Sequence, residues 1–256
     1  MVSDLFDLSG KVAIVTGASS GLGVQFAEAL ANAGANITIA ARRIERLEEV
    51  KEELGKTGVK CLPVKCDVLN EDEVINVVES TFKEFGKIDI LVNNAGTASF
   101  SPAEDITGEE WDKVLNTNLR GAFYFAKHVA GKMKEHNYGR IINITSIYGV
   151  AGNTQYNVSP YHASKGGEVN LTKALAAEWA KYGITVNAIG PGFFESEMTN
   201  DLISDEVFQN FIQSRCPMKR IGEPGELNGL LIYLASESSS YVTGQHICVD
   251  GGWTAV

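Results

Sequence analysis

The sequence predicts an α/β fold: a single doubly wound domain with a mostly parallel seven-stranded sheet and helices on both faces. One observation is that short runs rich in β-branched residues alternate with amphipathic stretches along nearly the whole chain. A second is that several of these runs are apolar almost throughout, as strands are when both faces of a parallel sheet are covered. A third is that no internal repeat, low-complexity tract or linker interrupts the alternation, so one domain over residues 1–256 is the simplest account.

Seven segments have the length and composition of strands. In chain order they are Lys11–Thr16, Asn36–Ala41, Lys60–Cys66, Ile88–Asn93, Arg140–Thr145, Ile184–Ile189 and His246–Asp250. The stretches between them carry apolar stripes at helical spacing. The two clearest stripes are Leu22, Phe26, Leu30 and Ala33, and Val74, Val77, Val78, Phe82 and Phe85. Thr107 and Glu110 predict a capping box that opens a long helix continuing past Asn118.

Residues 193–217 interrupt this alternation, because they are rich in acidic and aromatic side chains. A short amphipathic helix is predicted within them from Val207, Phe208, Phe211, Ile212 and Ser214. An insertion beyond the carboxyl edge of a parallel sheet is typical of a substrate lid. We therefore expect a lid at about residues 193–217.

Composition excludes several classes of protein. With 22 Lys and Arg against 32 Asp and Glu, the net charge is −10, which disfavours binding to nucleic acid or to anionic membrane surfaces. No apolar run reaches the length of a membrane span, and the first ten residues lack a signal pattern, so a cytoplasmic location is expected. The four cysteines form no CxxC pair and lie near no histidine cluster, so core packing is expected of them and no metal site is predicted.

A glycine-rich segment, TGASSGLG (Thr16–Gly23), directly follows the first predicted strand and opens the first helix. Glycines allow a tight turn and close approach of the backbone, while a helix N-terminus offers free N–H groups and a positive dipole to a pyrophosphate. This context predicts a dinucleotide site. The alternative is a simple Gly/Ser turn.

The end of the second strand, AARR, indicates which dinucleotide binds. A carboxylate at this point suits the ribose hydroxyls of NAD, whereas arginine suits the 2′-phosphate of NADP. Ala41 stands where the acid would be, and Arg42 and Arg43 follow it. Guanidinium groups bind phosphate through charge-assisted hydrogen bonds, so NADP(H) is predicted. The alternative is a pair of solvated arginines at a helix start.

The segment PYHASKGG (Pro160–Gly167) places a tyrosine and a lysine four residues apart, on one face of a helix. Hydride transfer to a carbonyl requires a proton for the developing alkoxide. A free phenol has a pKa of about 10, too high for efficient proton exchange near neutral pH. An ammonium one helical turn away favours the deprotonated phenol, so Tyr161 and Lys165 form a candidate acid–base pair.

These motifs in this order, together with NNAG (Asn93–Gly96), resemble the short-chain dehydrogenase/reductase family, which has a Rossmann fold. The resemblance runs from about Leu8 to Gly252. Within the family, the sequence most resembles the branch that contains gluconate 5-dehydrogenases and 3-oxoacyl-carrier-protein reductases. It implies an enzyme, an oxidoreductase.

The resemblance also implies residue roles. Tyr161 would be the general acid in reduction and the base in oxidation, and Lys165 would favour its ionised form and bind the nicotinamide ribose. Ser146 would donate to the substrate oxygen, and Asn118 would hold a water that extends the proton relay. Asp67 would hold the adenine amino group. The full cofactor-binding set predicted from the turn, the arginine pair and the resemblance is Gly17, Ser19, Ser20, Gly21, Leu22, Gly23, Arg42, Arg43, Asp67, Val68, Asn94, Ala95, Gly96, Tyr161, Lys165, Pro191, Gly192, Phe194 and Ser196.

Two departures from the family pattern concern the substrate side. Ser146 and Tyr161 lie fifteen positions apart, where close relatives more often show thirteen, which should reshape the pocket. Phe194 replaces the usual small aliphatic residue of the nicotinamide-binding turn. Tyr148 and Tyr156 lack a lysine four residues on, and His162 would point away from the site, so none of the three is expected to be catalytic.

The expected substrate is a ketone, keto-sugar or polyol. The predicted pocket residues are Ala98–Ser101, Ile147, Tyr148, Asn153–Val158, Phe193 and Phe194, which are aromatic and polar and offer no evident arginine for a carboxylate. Acidic residues of the lid favour a neutral ketone or secondary alcohol over an anionic substrate. The alternatives are a 3-oxoacyl-carrier-protein reductase and a dinucleotide-sensing protein without turnover.

Self-association is predicted as well, as a homotetramer. The helix over Tyr161–Lys181 carries small residues on more than one face, which suits close packing against a second copy. The alternative is that this helix is buried on the sheet alone.

Overall fold

Seven strands form one parallel sheet in the computed structural model, which describes residues 5–153, 155–197, 199 and 205–256. The spatial order is β3-β2-β1-β4-β5-β6-β7, and each neighbouring pair is parallel. The strands are β1 Val12–Thr16, β2 Asn36–Ala41, β3 Cys61–Lys65, β4 Ile90–Asn93, β5 Gly139–Ile144, β6 Ile184–Pro191 and β7 His246–Val249. The seven predicted strands are confirmed, with ends that differ by at most two residues. The largest extension is at β6, because Gly190 and Pro191 pair with Cys248 and Val249.

The described helices cover both faces of this sheet. Their bounds are α1 Gly21–Asn32, α2 Ile44–Gly55, α3 Glu71–Phe85, α4 Gly108–Leu115, α5 Gly121–His136, α6 Ser159–Trp179, α7 Glu206–Arg215 and α8 Asn228–Ala235. Side chains of α1, α2 and α8 pack with one face of the sheet in a single apolar cluster. Side chains of α3, α5 and α6 pack with the other face in a second cluster. The doubly wound fold is therefore confirmed.

The sheet reverses its winding at β1. This strand pairs with β2 on one side and with β4 on the other, so the connections leave it in opposite directions. Loops that leave the carboxyl ends of such strands diverge and open a crevice there. The predicted cofactor-binding residues and Ser146 lie in, or just beyond, the connections that follow β1 to β6, and they therefore meet at this edge of the sheet.

The long helix that begins at the Thr107 capping box is not α-helical throughout, which corrects the prediction. Thr107 Oγ1 accepts from the Glu110 N–H at 3.1 Å, and the Glu110 carboxylate accepts from the Thr107 N–H, so the capping box itself is confirmed. Between α4 and α5, residues Asn116–Arg120 form a π-helical turn. Such turns are common at functional sites. This one contains Asn118, whose side chain is fully buried.

Helix α6 carries the Tyr161 and Lys165 pair. It begins at Ser159, two residues before the predicted start, and Pro160 lies in its first turn, where its missing N–H is harmless. It ends at Trp179, and a 3₁₀ turn over Ala180–Tyr182 follows.

The predicted lid contains a helix, α7, capped by Asp205, whose carboxylate accepts from the Val207 N–H at 3.1 Å. Phe208 and Ile212 are buried beneath it. Val207 belongs to the predicted apolar stripe but is exposed, because it lies on the outer face of α7. Of the residues predicted for the lid and the pocket, 198, 200–204 and 154 lie outside the described residues. Among the described helices, none is long and apolar enough to cross a membrane.

Candidate active site

The turn between β1 and α1 has the close geometry that its glycines predict. Gly17 and Gly21 have positive φ angles of 65° and 55°. A Cβ on Gly23 would lie 2.3 Å from the Gly17 carbonyl oxygen, so no larger residue fits there without a backbone shift. The Ser20 side chain does not cap α1. Unclaimed N–H groups in the first turn of a helix are a binding site for an anion.

The neighbouring strand β4 braces this turn. The Asn94 amide donates to the carbonyl oxygens of Thr16 and Gly17 at 3.0 and 3.2 Å, and the Thr16 hydroxyl accepts from the N–H groups of Asn94 and Ala95 at 3.0 Å each. Asn94 therefore stabilises the turn and lines the crevice at the same time. Asn93 points elsewhere and donates to the Asn143 side chain at 2.9 Å.

These elements surround a cleft of about 500 Å³. Every residue of the predicted cofactor-binding set lines it, from the glycine turn to Ser196. The cleft also contains residues that were not predicted to bind the cofactor: Ala41, Cys66, Leu69, Thr97, Lys113, Thr117, Ile144, Thr145, Ser146, Glu197 and Thr199. Most of these residues are direct neighbours of a predicted residue in the sequence, so they could have been predicted from their closeness to the motifs.

Arg43 is engaged by a carboxylate in the cleft. Its guanidinium donates to both Glu197 oxygens, at 2.9 and 3.0 Å, and to the hydroxyls of Ser19 and Ser20 at 3.0 Å. The hydrogen bonds from Arg43 hold the pKa of Glu197 below its ordinary value. Both side chains are about half exposed. The ion pair thus lies on the cleft lining, where solvent and ligands can reach it.

At the other end of the cleft, Ser146 and Tyr161 face the space between β5 and α6. Ser146 lies two residues beyond the end of β5, and its hydroxyl accepts from the Tyr148 N–H at 3.1 Å. Ser146, Tyr161 and Lys165 all line the cleft. The structure therefore brings together three of the four predicted catalytic residues.

Lys165 is buried and bound by two oxygen atoms. Its Nζ donates to the Ile144 carbonyl oxygen at 2.8 Å and to a carboxylate oxygen of Glu168 at 2.5 Å. Burial works to lower the pKa of Lys165, but the Glu168 carboxylate and the Tyr161 phenol outweigh it and raise that pKa above its ordinary value. Burial raises the pKa of Glu168 to about 7, against the opposing effect of Lys165. Glu168 was not predicted, although its position three residues after the lysine was a readable signal.

The fourth predicted residue, Asn118, lies behind the cleft lining. Its amide donates to the Thr97 carbonyl oxygen and the Ser164 hydroxyl, at 2.9 Å each, and its carbonyl accepts from the Thr97 N–H at 2.8 Å. A Cβ on Gly96 would lie 3.5 Å from the Asn118 carbonyl oxygen and 3.8 Å from Lys165 Nζ. Gly96, which has no side chain, thus lies next to both the Asn118 and the Lys165 side chains. A relay through Asn118 stays a prediction.

Comparison with known proteins places this geometry in a family. Residues 17–254 match the family model described as Enoyl-(Acyl carrier protein) reductase. Gluconate 5-dehydrogenase of Gluconobacter oxydans is 38% identical over 251 residues, with 98% of this chain and 97% of the relative covered. A 3-oxoacyl-[acyl-carrier-protein] reductase of Staphylococcus epidermidis is 40% identical over 243 residues, with 94% and 98% covered.

A solved structure gives the same result. Gluconate 5-dehydrogenase of Burkholderia cenocepacia, in complex with NADP and tartrate, superposes with a TM-score of 0.96 at 36% identity, with 100% of both chains covered. The chain belongs to the short-chain dehydrogenase/reductase family. It is an oxidoreductase, and the predicted family and branch are confirmed.

The connection from Ser146 to Tyr161, which is longer in this chain than in most close relatives, is folded back onto α6. His162 donates from Nδ1 to the Tyr148 carbonyl oxygen at 3.0 Å, and its Nε2 lies 2.8 Å from the Asn153 amide nitrogen. His162 therefore holds the inserted loop against α6. Its non-catalytic role stays a prediction. The departure at Phe194 is accommodated by Gly222, where a Cβ would lie 2.2 Å from the Phe194 ring.

Next to Tyr161 a cluster of aromatic rings packs together, and we call the rings of Tyr148, Phe193, Phe211 and Trp253 the aromatic wall. The Tyr148 ring stands edge-on to Tyr161 with centroids 6.4 Å apart, and edge-on to Phe193 at 6.0 Å. Phe211 packs on Trp253 at 5.2 Å, and the Arg215 guanidinium lies 5.6 Å from the Trp253 ring. The contact between Trp253 and Arg215 was not predicted, because the final turn and α7 meet only in the folded chain.

The glycine turn generates a first prediction. Gly23→Ala should lower the free energy of unfolding by about 1–3 kcal/mol, because the added methyl overlaps the Gly17 carbonyl oxygen. Gly55→Ala is the matched control: a Cβ there meets nothing within 4 Å, and it should be neutral or slightly stabilising at the end of α2. Urea unfolding of both variants checks this. Equal midpoints for the two variants would contradict the overlap.

Proposed function

We propose that this enzyme transfers hydride between NADP(H) and a carbonyl or secondary alcohol, on a substrate of the ketone or keto-sugar type. The observation that carries the proposal is that the glycine turn, the arginine pair and the Ser146, Tyr161 and Lys165 side chains share one cleft. Such a cleft holds a dinucleotide at one end and places a proton donor at the other.

The residues present fit the cofactor. The bare turn and the uncapped start of α1 would hold the pyrophosphate, and Arg42 and Arg43 would hold the 2′-phosphate. NADP in the structure of the Burkholderia cenocepacia relative supports this assignment. When bound, the cofactor supplies or accepts the hydride at its nicotinamide ring.

The protein's own residues manage the proton and the charge. We assign Ser146 as the hydrogen-bond donor to the substrate oxygen, which stabilises negative charge as it develops. Tyr161 gives its proton to that oxygen during reduction and removes it during oxidation. The Lys165 ammonium, in the same cleft, stabilises the phenolate form between these steps. Asn118 supports this end of the cleft by holding Thr97 and Ser164.

The aromatic wall and the lid define the substrate side. The partly exposed rings of Phe193 and Phe211, which pack on the buried rings of Tyr148 and Trp253, suit the C–H faces of a sugar or the body of a neutral ketone. Relatives named for gluconate and its keto derivatives support a polyhydroxy substrate. Arg215 adds one cation beside this wall. We propose residues 193–217 as the lid over it.

A substrate panel tests the proposed function. Loss of NADPH absorbance is followed with 5-keto-D-gluconate, neutral keto-sugars, aryl ketones and a 3-oxoacyl carrier protein as separate arms. We expect turnover of a keto-sugar or a neutral ketone. Arg215→Ala should raise the KM of a carboxylate-bearing substrate and leave the KM of a neutral one unchanged. Turnover of the carrier-protein substrate alone would replace the proposal with that alternative. Tight NADPH binding with no turnover in any arm would indicate a sensing protein.

Removal of one hydroxyl tests the proton donor. Tyr161→Phe should lower kcat at least about a hundredfold, since the substrate oxygen then lacks its acid, while NADPH binding is retained. Tyr233→Phe removes a phenol on α8, outside the cleft lining, and should leave kcat unchanged. Steady-state kinetics and fluorescence titration measure the two quantities. Normal turnover by Tyr161→Phe would remove Tyr161 from the mechanism.

The Arg43–Glu197 ion pair gives a prediction for cofactor selectivity. The 2′-phosphate must compete with Glu197 for the same guanidinium, so Glu197→Gln should bind NADPH up to about fivefold more tightly. Binding of NADH, which lacks that phosphate, should not change. Glu195→Gln removes an exposed charge from the same segment and is the control. If Glu197→Gln tightens NADPH and NADH equally, Arg43 is not the phosphate ligand.

We propose a homotetramer as well. Small residues on α6 leave its surface able to pack closely, and Trp111 on α4 and Phe123 on α5 each remain more than a third exposed. Burying such faces against a second copy would remove apolar surface from water. Light scattering on the purified protein should give four times the chain mass of 27.6 kDa. A monomer mass would favour burial of α6 on the sheet alone.

A further inference from the structure

A buried ion pair lies within helix α6, one turn beyond the candidate acid. Glu168 is 1% exposed and Lys165 is 3% exposed, so both charges are removed from water. Such burial costs several kcal/mol for each ion, and an apolar pair of similar shape usually serves stability equally well. Stability alone therefore gives little reason for a carboxylate at this position. A reason exists if Lys165 must stay charged.

Glu168 leaves Lys165 with a defined number of free donors. A lysine ammonium carries three N–H groups. The Ile144 carbonyl oxygen and the Glu168 carboxylate accept two of them. One donor is left for a ligand in the cleft, which Lys165 lines. The two protein acceptors also fix the position of Nζ between the end of β5 and α6.

We propose that Glu168 is a positioning residue that keeps Lys165 protonated on the neutral and alkaline side of the pH range, where the Glu168 carboxylate is ionised. This inference rests on the proposed function of Lys165 beside Tyr161. A buried lysine without a counter-ion readily loses its proton, and a neutral amine would no longer stabilise a phenolate. Glu168 prevents this because deprotonation of Lys165 would leave the carboxylate buried and unpaired.

Few other titratable groups act on this pair. On α6 itself, Tyr161 is the other group that influences Lys165, and Lys165 is the group that influences Glu168. Among the described residues of the elements packed against α6, Tyr148 stands edge-on to Tyr161 and Lys113 lines the same cleft. Asn118, Asn143 and Thr172 nearby are polar but uncharged. Glu168 is therefore the counter-ion on which Lys165 depends.

The test compares Glu168→Gln with wild type over a range of pH. Glutamine keeps a hydrogen-bond acceptor of the same size but removes the charge. In wild type, Lys165 keeps its proton until the pH exceeds its raised pKa. In Glu168→Gln that pKa falls, so the rate of alcohol oxidation should pass through a maximum and decline at least about one pH unit earlier on the alkaline side. Glu178→Gln, an exposed change on the same helix, should match wild type.

A measurement without cofactor or turnover keeps the inference separate from the proposed function. A small amine-acylating reagent modifies only neutral lysine, and mass spectrometry quantifies modification of Lys165 in the cofactor-free protein. The pH midpoint of labelling should lie above that of exposed Lys56 in wild type and below it in Glu168→Gln. Glu168→Asp restores the charge and should move the midpoint back towards wild type.

The outcomes are distinct. The inference is overturned if the labelling midpoint of Lys165 is the same in wild type and Glu168→Gln. It is also overturned if the two pH–activity profiles differ only by a constant factor, because Glu168 would then have only a structural role. If Glu168→Gln fails to fold, wild type still decides, because a Lys165 midpoint below that of Lys56 contradicts a protective counter-ion. A protein with no turnover but with the expected labelling would refute the proposed function alone.

Discussion

A buried ammonium group must be surrounded by oxygen atoms, and the rest of the site is arranged around that requirement at Lys165. One oxygen comes from the last residue of β5 and another from Glu168, one turn further along α6. The ammonium therefore locks α6 against the carboxyl edge of the sheet, where the connection after β5 delivers Ser146 and the start of α6 delivers Tyr161. Reversal of the sheet at β1 places the glycine turn at the same edge. The chemistry is possible because one edge collects all of these groups.

The polar contacts behind the cleft make that edge rigid. The Asn94 side chain donates to the two carbonyl oxygens at the start of the glycine turn, and the Thr16 hydroxyl accepts from two N–H groups of the segment that follows β4. Asn118 joins the loop after β4 to α6 through Thr97 and Ser164. A buried amide that satisfies its partners in this way fixes a backbone which would otherwise have unpaired polar groups. Asn94 and Asn118, which the sequence marks as candidate site residues, thus also stabilise the backbone that forms the cleft.

Features encoded by short segments could be predicted, whereas features created by distant segments could not. The turn at Gly17–Gly23, the arginine pair and the Tyr161–Lys165 spacing are each contained within a few residues, and the strands that carry them are continuous apolar runs. The Glu197 partner of Arg43 lies 154 positions away, and the approach of Arg215 to Trp253 also depends on tertiary packing. The π-helical turn at Asn118 interrupts a pattern that reads as one helix, because packing rather than propensity sets it. Glu168 is the exception, since its i, i+3 relation to Lys165 was visible in the sequence.

Two carboxylates in this acidic chain neutralise the two ends of the cleft, and exposure separates their roles. The Arg43–Glu197 pair is about half exposed, so it contributes little and an anion of a ligand can take the place of Glu197 at small expense. The Lys165–Glu168 pair is almost fully buried, and breaking it would leave an uncompensated charge away from water. One cation is thus available for exchange with a ligand's phosphate, while the other is permanently held. In the function we propose, the same pairing of charges gives an exchangeable binding group at the arginine end of the cleft and a fixed electrostatic group beside the reacting atoms.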